Sequence, residues 1–163
     1  MIYLASDHHW FHKNIIKYAN RHFSSVEEMD ALMIDDWNKT ISSKDTIYHL
    51  GDFAFGNKNQ ITELVSRLNG TKILIKGNHE KKSAKWYQEC GFNSVIDGGV
   101  ILDDYYLLTH KPIHINELSP FVNIHGHTHQ HNMSSKCYIN VSVEQINYTP
   151  MLFEKIKNKF KEA

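Results

Sequence analysis

The chain has 163 residues, 41% of them hydrophobic and 22% charged, and its 18 basic and 18 acidic side chains give a formal net charge of zero. That balance excludes a disordered chain and carries no global basic signature for nucleic acid or an anionic membrane. The length suggests one domain, residues 1–163, with enough material to bury a core.

No apolar run approaches the roughly 20 residues of a membrane span, and the opening Met1–Asp7 is too short for a signal peptide's apolar region. Cys90 and Cys137 stand far apart in no C-x-x-C spacing. They read as reduced thiols of a cytoplasmic protein.

Along the chain, strand and helix signals alternate. Ile2–Ala5 is a short apolar run and the first predicted strand. Ser25-Val-Glu-Glu28 has capping-box form, and Met29, Leu32, Met33 and Trp37 follow at helical spacing. Thr46–Leu50 returns to strand character. Ile61, Leu64, Val65 and Leu68 mark a second amphipathic helix stopped by Asn69-Gly70.

Lys72–Lys76 is a third strand, and Ser83–Cys90 a helix ending at Gly91. Val95–Ile96, Val100–Leu102, Tyr105–Leu108, Val122–His125 and Tyr138–Val143 read as strands, with a hairpin at Asp103-Asp104. Leu152–Phe160 suits a terminal amphipathic helix. A βαβ-like first half and a β-rich second half predict an α/β fold with a mixed sheet, or two packed sheets, flanked by helices.

The polar clusters sit at the ends of these strands. Asp7-x-His9 follows the first, Gly51-Asp52 the second and Gly77-Asn78-His79-Glu80 the third; His110 follows Leu107-Leu108-Thr109, and Gly126-His127-Thr128-His129 follows Val122–His125. Carboxylate, imidazole and amide oxygen suit divalent ions such as Mn, Fe, Co, Ni or Zn. Loops at the carboxyl ends of strands are free to converge, so one site is expected from distant sequence. Gly51 and Gly77 precede ligands where the chain must turn and approach closely. Two ions about 3.5–4 Å apart need a bridging carboxylate, for which Asp52 is the natural candidate. A cationic site of this kind attracts an anionic substrate, and phosphate esters fit.

In this order, D-x-H, G-D, G-N-H-[DE], H and G-H-x-H, the five motifs resemble the calcineurin-like metallophosphoesterases, specifically their small single-domain phosphodiesterase branch in prokaryotes and phages. The resemblance spans Asp7 to His129 and implies a β-sandwich core of two packed mixed sheets flanked by helices. It implies two divalent ions, Mn first, with Fe, Zn, Ni or Co as alternatives. One ion would be bound by Asp7, His9, Asp52 and His129, the other by Asp52, Asn78, His110 and His127. A metal-bridging hydroxide would attack phosphorus, and His79 would stabilise the transition state or protonate the leaving oxygen. Glu80 would orient His79; His12 and Lys111 are further candidates for supporting the ligands or touching substrate.

The implied activity is phosphodiester hydrolysis, with a nucleotide or nucleic-acid-derived substrate among the options. A phosphomonoesterase acting on a small molecule is the alternative. Trp10 after His9, and Phe53-Ala54-Phe55-Gly56 after Asp52, depart from the protein phosphatases, whose G-D-x-V-D-R-G carries an arginine absent here. A non-catalytic scaffold of the same fold is disfavoured because His79 and every ligand position are present. A metallo-β-lactamase arrangement is disfavoured because its H-x-H cluster comes early in the chain.

Of the remaining histidines, His8 and His125 lie near the site loops as further supporting or phosphate-contact candidates, and His22, His49, His114 and His131 read as surface or structural. Trp10, Phe11, Phe53 and Phe55 suit core packing ahead of an apolar wall for an organic group. Lys81, Lys82 and Lys85 suit a solvated face ahead of a phosphate contact. Substrate identity and oligomeric state stay open.

Overall fold

Four short apolar runs, β1 (Ile2–Ala5), β2 (Thr46–His49), β3 (Thr71–Ile75) and β4 (Ser94–Ile96), pair side by side as parallel strands in the computed structural model, which describes residues 1–116 and 118–161. Parallel pairing needs long crossovers, and the sequence supplies helices for them. The connection from β1 to β2 carries a short α1 (Ile15–Tyr18) and α2 (Val26–Thr40); α3 (Lys58–Arg67) and α4 (Ala84–Glu89) fill the next two.

The caps are those the sequence announces. Ser25 Oγ accepts from the Glu28 N–H at 3.1 Å, although Glu28 reaches back to the N–H of Ser24 rather than Ser25. Asn57 and Gln60 form a complete capping box at the start of α3. Such caps are each worth about 1 kcal/mol.

The second half builds another sheet from β5 (Gly99–Leu102), β6 (Tyr106–Thr109), β7 (Val122–His125) and β8 (Tyr138–Asn140), in that order. The β5–β6 pair is antiparallel through the Asp103-Asp104 turn, where both aspartates take left-handed backbone angles. The other two pairs are parallel. A two-residue β9 (Met151–Leu152) then returns to lie antiparallel on β1, and α5 (Phe153–Lys161) closes the described chain. The architecture is therefore mixed α/β: two mixed sheets and, among the described residues, five helices. Among the described residues no helix is long and apolar enough to cross a membrane.

One hydrophobic cluster takes residues from both sheets and from the helices, including Leu4, Ile47, Leu74, Leu108, Ile124, Met33, Trp37 and Leu64. Two sequence expectations are corrected. The strand expected at Tyr138–Val143 ends at Asn140, because the chain there leaves the second sheet: Ser142 bridges Ser6, and the Val143 N–H donates to the Ser6 carbonyl at 3.0 Å. Val141 and Val143 stay fully buried in this passage between sheets. The terminal helix expected from Leu152 begins one residue later, since Leu152 belongs to β9.

Parallel pairing brings the carboxyl ends of β1, β2 and β3 to one edge. The loops beyond β1 and β2 then run alongside each other. The N–H groups of Asp7, His9 and Trp10 donate to the carbonyls of Gly51, Asp52 and Phe53 at 3.0–3.1 Å.

Candidate metal centre

Backbone geometry sets the site before any side chain is considered. Asp7 (φ 59°), His9 (53°), Asp52 (53°), His127 (68°) and His129 (48°) all occupy the left-handed region. Asp, Asn and His are the non-glycine residues most often found there, and each such residue holds its side chain at an angle that an extended chain would not give. Gly51 turns at φ 87°, and a Cβ on it would lie 2.5 Å from the Gly77 nitrogen. Gly77 has ordinary angles and is needed for space instead, because a Cβ there would collide with Asp52.

The loops deliver two groups of ligand-type atoms. In one, an atom from each of Asp7, His9 and His129 lies within 4.8 Å of the others; in the second the same holds for Asp52, His110 and His127. The Asp52 carboxylate stands between them. Its Oδ2 is 3.6 Å from His9 Nε2 and 3.5 Å from His110 Nε2. His9 Nε2 and His129 Nε2 are each 3.9 Å from Asp7 Oδ1. Ligands bonded at about 2.0–2.2 Å to one ion sit roughly 3–4 Å apart, so these separations suit shared cations.

Hydrogen bonding shows what the side chains lack. Asp7 Oδ2 accepts from the His127 N–H at 2.8 Å and the Ser142 hydroxyl at 3.0 Å, whereas the buried Asp7 Oδ1 and His9 Nε2 have no hydrogen-bond partner. A buried carboxylate oxygen left bare costs several kcal/mol unless a positive partner meets it. His110 Nδ1 lies 2.7 Å from the Leu50 carbonyl and so carries the proton there. That tautomer turns the Nε2 lone pair toward Asn78 Oδ1, 2.9 Å away. Two lone pairs facing each other across that distance call for a cation.

Electrostatics agrees. Burial pushes the Asp7 carboxyl up, against the pull of His110 and His129. Burial drives His9 far below the usual imidazole range and also lowers His127, leaving both neutral and able to ligate. His129 is the exception. Burial opposes its charge, but the hydrogen bond to Glu144 and the charges of Glu144 and Asp7 outweigh it, and the net shift is upward. The chemistry of this donor set, with its orphaned buried atoms, fits two divalent ions.

His79 stands at the rim, 42% exposed, with Nε2 3.7 Å from Asp52 Oδ2 and its N–H donating to Asp52 Oδ1 at 3.0 Å. His12 sits beside His9, Nδ1 to Nδ1 3.3 Å, and stacks on Phe55 at 4.1 Å between ring centres. Lys111 lines a neighbouring hollow with Asn78 and His110.

Glu80 plays a part other than the orienting of His79. Its buried carboxylate accepts from the N–H groups of Asp52, Phe53 and Gly77 at 2.7–2.9 Å and ties the two ligand-bearing turns together. His8 and His125 are also not contacts to substrate. His8 is fully buried, 2.8 Å from His49 and stacked on Trp10 at 4.0 Å, and His125 is buried with Nδ1 on the Gly126 carbonyl. Trp10 and Phe53 are core, while Phe55 is 37% exposed.

Sequence reasoning missed Arg21 and Glu144. The buried Arg21 guanidinium donates to the backbone carbonyls of Asp7 at 2.6 Å and His8 at 2.8 Å, and to Glu144 Oε1 at 2.9 Å. Glu144 in turn holds His129 Nδ1 at 3.0 Å. A carboxylate behind a ligating imidazole fixes its tautomer and raises its basicity. Burial pushes Glu144 up, but His129 and Arg21 more than offset this and keep it ionised.

No protein-family model matches the chain. It is similar to AQ665 from Aquifex aeolicus, a protein of unknown function whose crystal structure superposes with a TM-score of 0.76 at 29% identity, covering 97% of this chain and 98% of that one. It is 37% identical over 81 residues, 48% of this chain and 39% of the other, to the Gene 66 protein of Mycobacterium phage L5. The uncharacterized protein MJ1445 of Methanocaldococcus jannaschii is 37% identical over 169 aligned residues, which cover 95% of this chain and 88% of that protein. On that likeness the chain belongs to the same family as MJ1445.

Proposed function

We propose that the protein is a dinuclear metal-dependent phosphoesterase of the calcineurin-like type, acting on phosphodiesters. The observation that carries the reading is the Asp52 carboxylate standing between two ligand groups, with Asp7 Oδ1 and His9 Nε2 buried and unpartnered beside it. Asp7, His9, Asp52 and His129 would hold one ion, and Asp52, Asn78, His110 and His127 the other. Two divalent ions there would supply Lewis acidity toward a phosphoryl oxygen and a nucleophilic water at neutral pH. Manganese is the first candidate.

The chain's own groups do the rest. Glu80 keeps the Asp52 and Gly77 turns in register, and Glu144 with Arg21 holds His129 and the Asp7 backbone. His79, the exposed imidazole at the rim, hydrogen-bonds or protonates the departing oxygen. A monoester dianion is usually gripped by arginine. Of the chain's two arginines, Arg21 is committed to Asp7, His8 and Glu144, and Arg67 lines a groove between α2 and α3. This favours the diester over the phosphatase alternative. Cys90 and Cys137 are both free, in keeping with a reducing, cytoplasmic setting.

Elemental analysis and rate measurement on bis(4-nitrophenyl) phosphate and 4-nitrophenyl phosphate with Mn²⁺ test the reading. Two ions per chain and a diester preference are expected. His79→Ala should keep both ions and lose about 10²–10⁴ in kcat. Trace metal only, or a tenfold preference for the monoester, defeats the proposal.

A further inference from the structure

Three depressions lie in a row across the face that carries the ligands. The middle one, about 270 Å³, is lined by Asp52, His127 and His129 together with Tyr18, whose ring is exposed. It shares His79 with a larger cleft of about 650 Å³ on one side. It shares Asn78 with a hollow of about 390 Å³ that holds Lys111. A closed pocket suits one small molecule, whereas a row of open depressions through the reacting centre suits a chain.

The larger cleft has its own chemistry. Phe55 forms the wall between it and the ligands, 4.7 Å from His79 and 5.3 Å from His9 between ring centres. Trp86 lines the cleft across from it, with Lys81 and Lys82. Lys58, in the same cleft, is paired with Glu89 at 2.6 Å. Glu80, next in sequence to Lys81, is buried and spent on backbone N–H groups, so it does not neutralise that rim. Aromatic rings interleaved with lysines beside a phosphodiester-cleaving centre match a nucleotide strand, because every base has a face to stack and every link carries one negative charge. The bases of a duplex are already stacked and offer no such face.

We infer that these three depressions bind a single-stranded oligonucleotide, with the scissile diester over the ligand cluster, a base against Phe55 and Trp86, and the next phosphate between Lys81 and Lys82. The inference rests on the phosphodiesterase reading and names its substrate class. It also explains how a chain of zero net charge recognises a polyanion, through a local track rather than a global field.

The test is fluorescence anisotropy of a fluorescein-labelled, phosphorothioate-linked hexathymidylate on the Mn²⁺-supplied protein, over a range of salt. Lys81→Ala/Lys82→Ala should weaken binding about tenfold at low salt and reduce the log–log salt slope by about 1.4, roughly 0.7 per lost phosphate contact on a single strand. Trp86→Ala should weaken binding about tenfold, and Trp86→Phe should restore most of it. Metal content and hydrolysis of bis(4-nitrophenyl) phosphate should stay unchanged in the lysine variant. Wild-type affinity in the lysine variant or in Trp86→Ala overturns the inference, as does a wild-type protein that binds no hexathymidylate. If bis(4-nitrophenyl) phosphate is still cleaved in that last case, the phosphodiesterase reading survives and the substrate class alone is lost.

Discussion

The two ligand groups are built from the same residue types but are braced in opposite ways. Behind Asp7, His9 and His129 stands a buried charged chain: Arg21 grips the Asp7 and His8 carbonyls and the Glu144 carboxylate, and Glu144 holds His129. Behind Asp52, His110 and His127 the brace is mostly main chain, with the Leu50 carbonyl on His110 and three N–H groups on Glu80. Arg21 and Glu144 are 123 residues apart, whereas Glu80 belongs to the same four-residue motif as Asn78. One half of the site thus depends on long-range ion pairing and the other on local hydrogen bonding. That difference predicts unequal responses to mutation.

The largest effect belongs to the residue both halves share. Asp52→Asn should lower occupancy of both ions together, while Asp7→Asn and His110→Ala each empty chiefly one; metal analysis showing single-ion loss in Asp52→Asn would assign the bridge elsewhere. Next comes Arg21→Ala, which leaves Glu144 buried with no cation. Stability to chemical denaturation should fall by about 3–5 kcal/mol, and a loss below about 1 kcal/mol would mean that the ion pair does not brace the site. The comparison is sharpest between two conservative changes. Glu144→Gln should weaken metal binding at the Asp7 group by about 10–100-fold and spare the other. Glu80→Gln, which sets an amide NH₂ against backbone donors, should instead cost about 1 kcal/mol of fold stability. Equal effects of the two on both metals would erase the distinction drawn between the braces.

The same contrast explains what the sequence disclosed. Ligands came in pairs at strand ends, each with a glycine or a second ligand beside it, so Asp7, Asp52, Asn78, His110 and His127 stood out. Helices α2 and α3 declared themselves through Ser25 and Asn57 at their caps and through apolar spacing. Arg21 and Glu144 are single charged residues in unremarkable contexts, and their value arises only when the β8-to-β1 passage brings residue 144 beneath the first loop. The one available hint was a charge directly after Val141-Ser142-Val143, an alternating apolar run. The two-residue β9 was invisible for a related reason: its strand character comes from pairing with β1, not from its own pattern.

The left-handed backbone of the ligand loops has a consequence for how this centre can change over time. Of the seven proposed ligands, five sit where the main chain tolerates Asp, His or Asn but penalises most other side chains. A drift to glutamate or cysteine, each an acceptable donor by chemistry alone, would meet resistance from the peptide itself. Selection for the metal and selection for the turn therefore act on the same letters of the sequence. A centre built this way is more readily lost whole than retuned one ligand at a time.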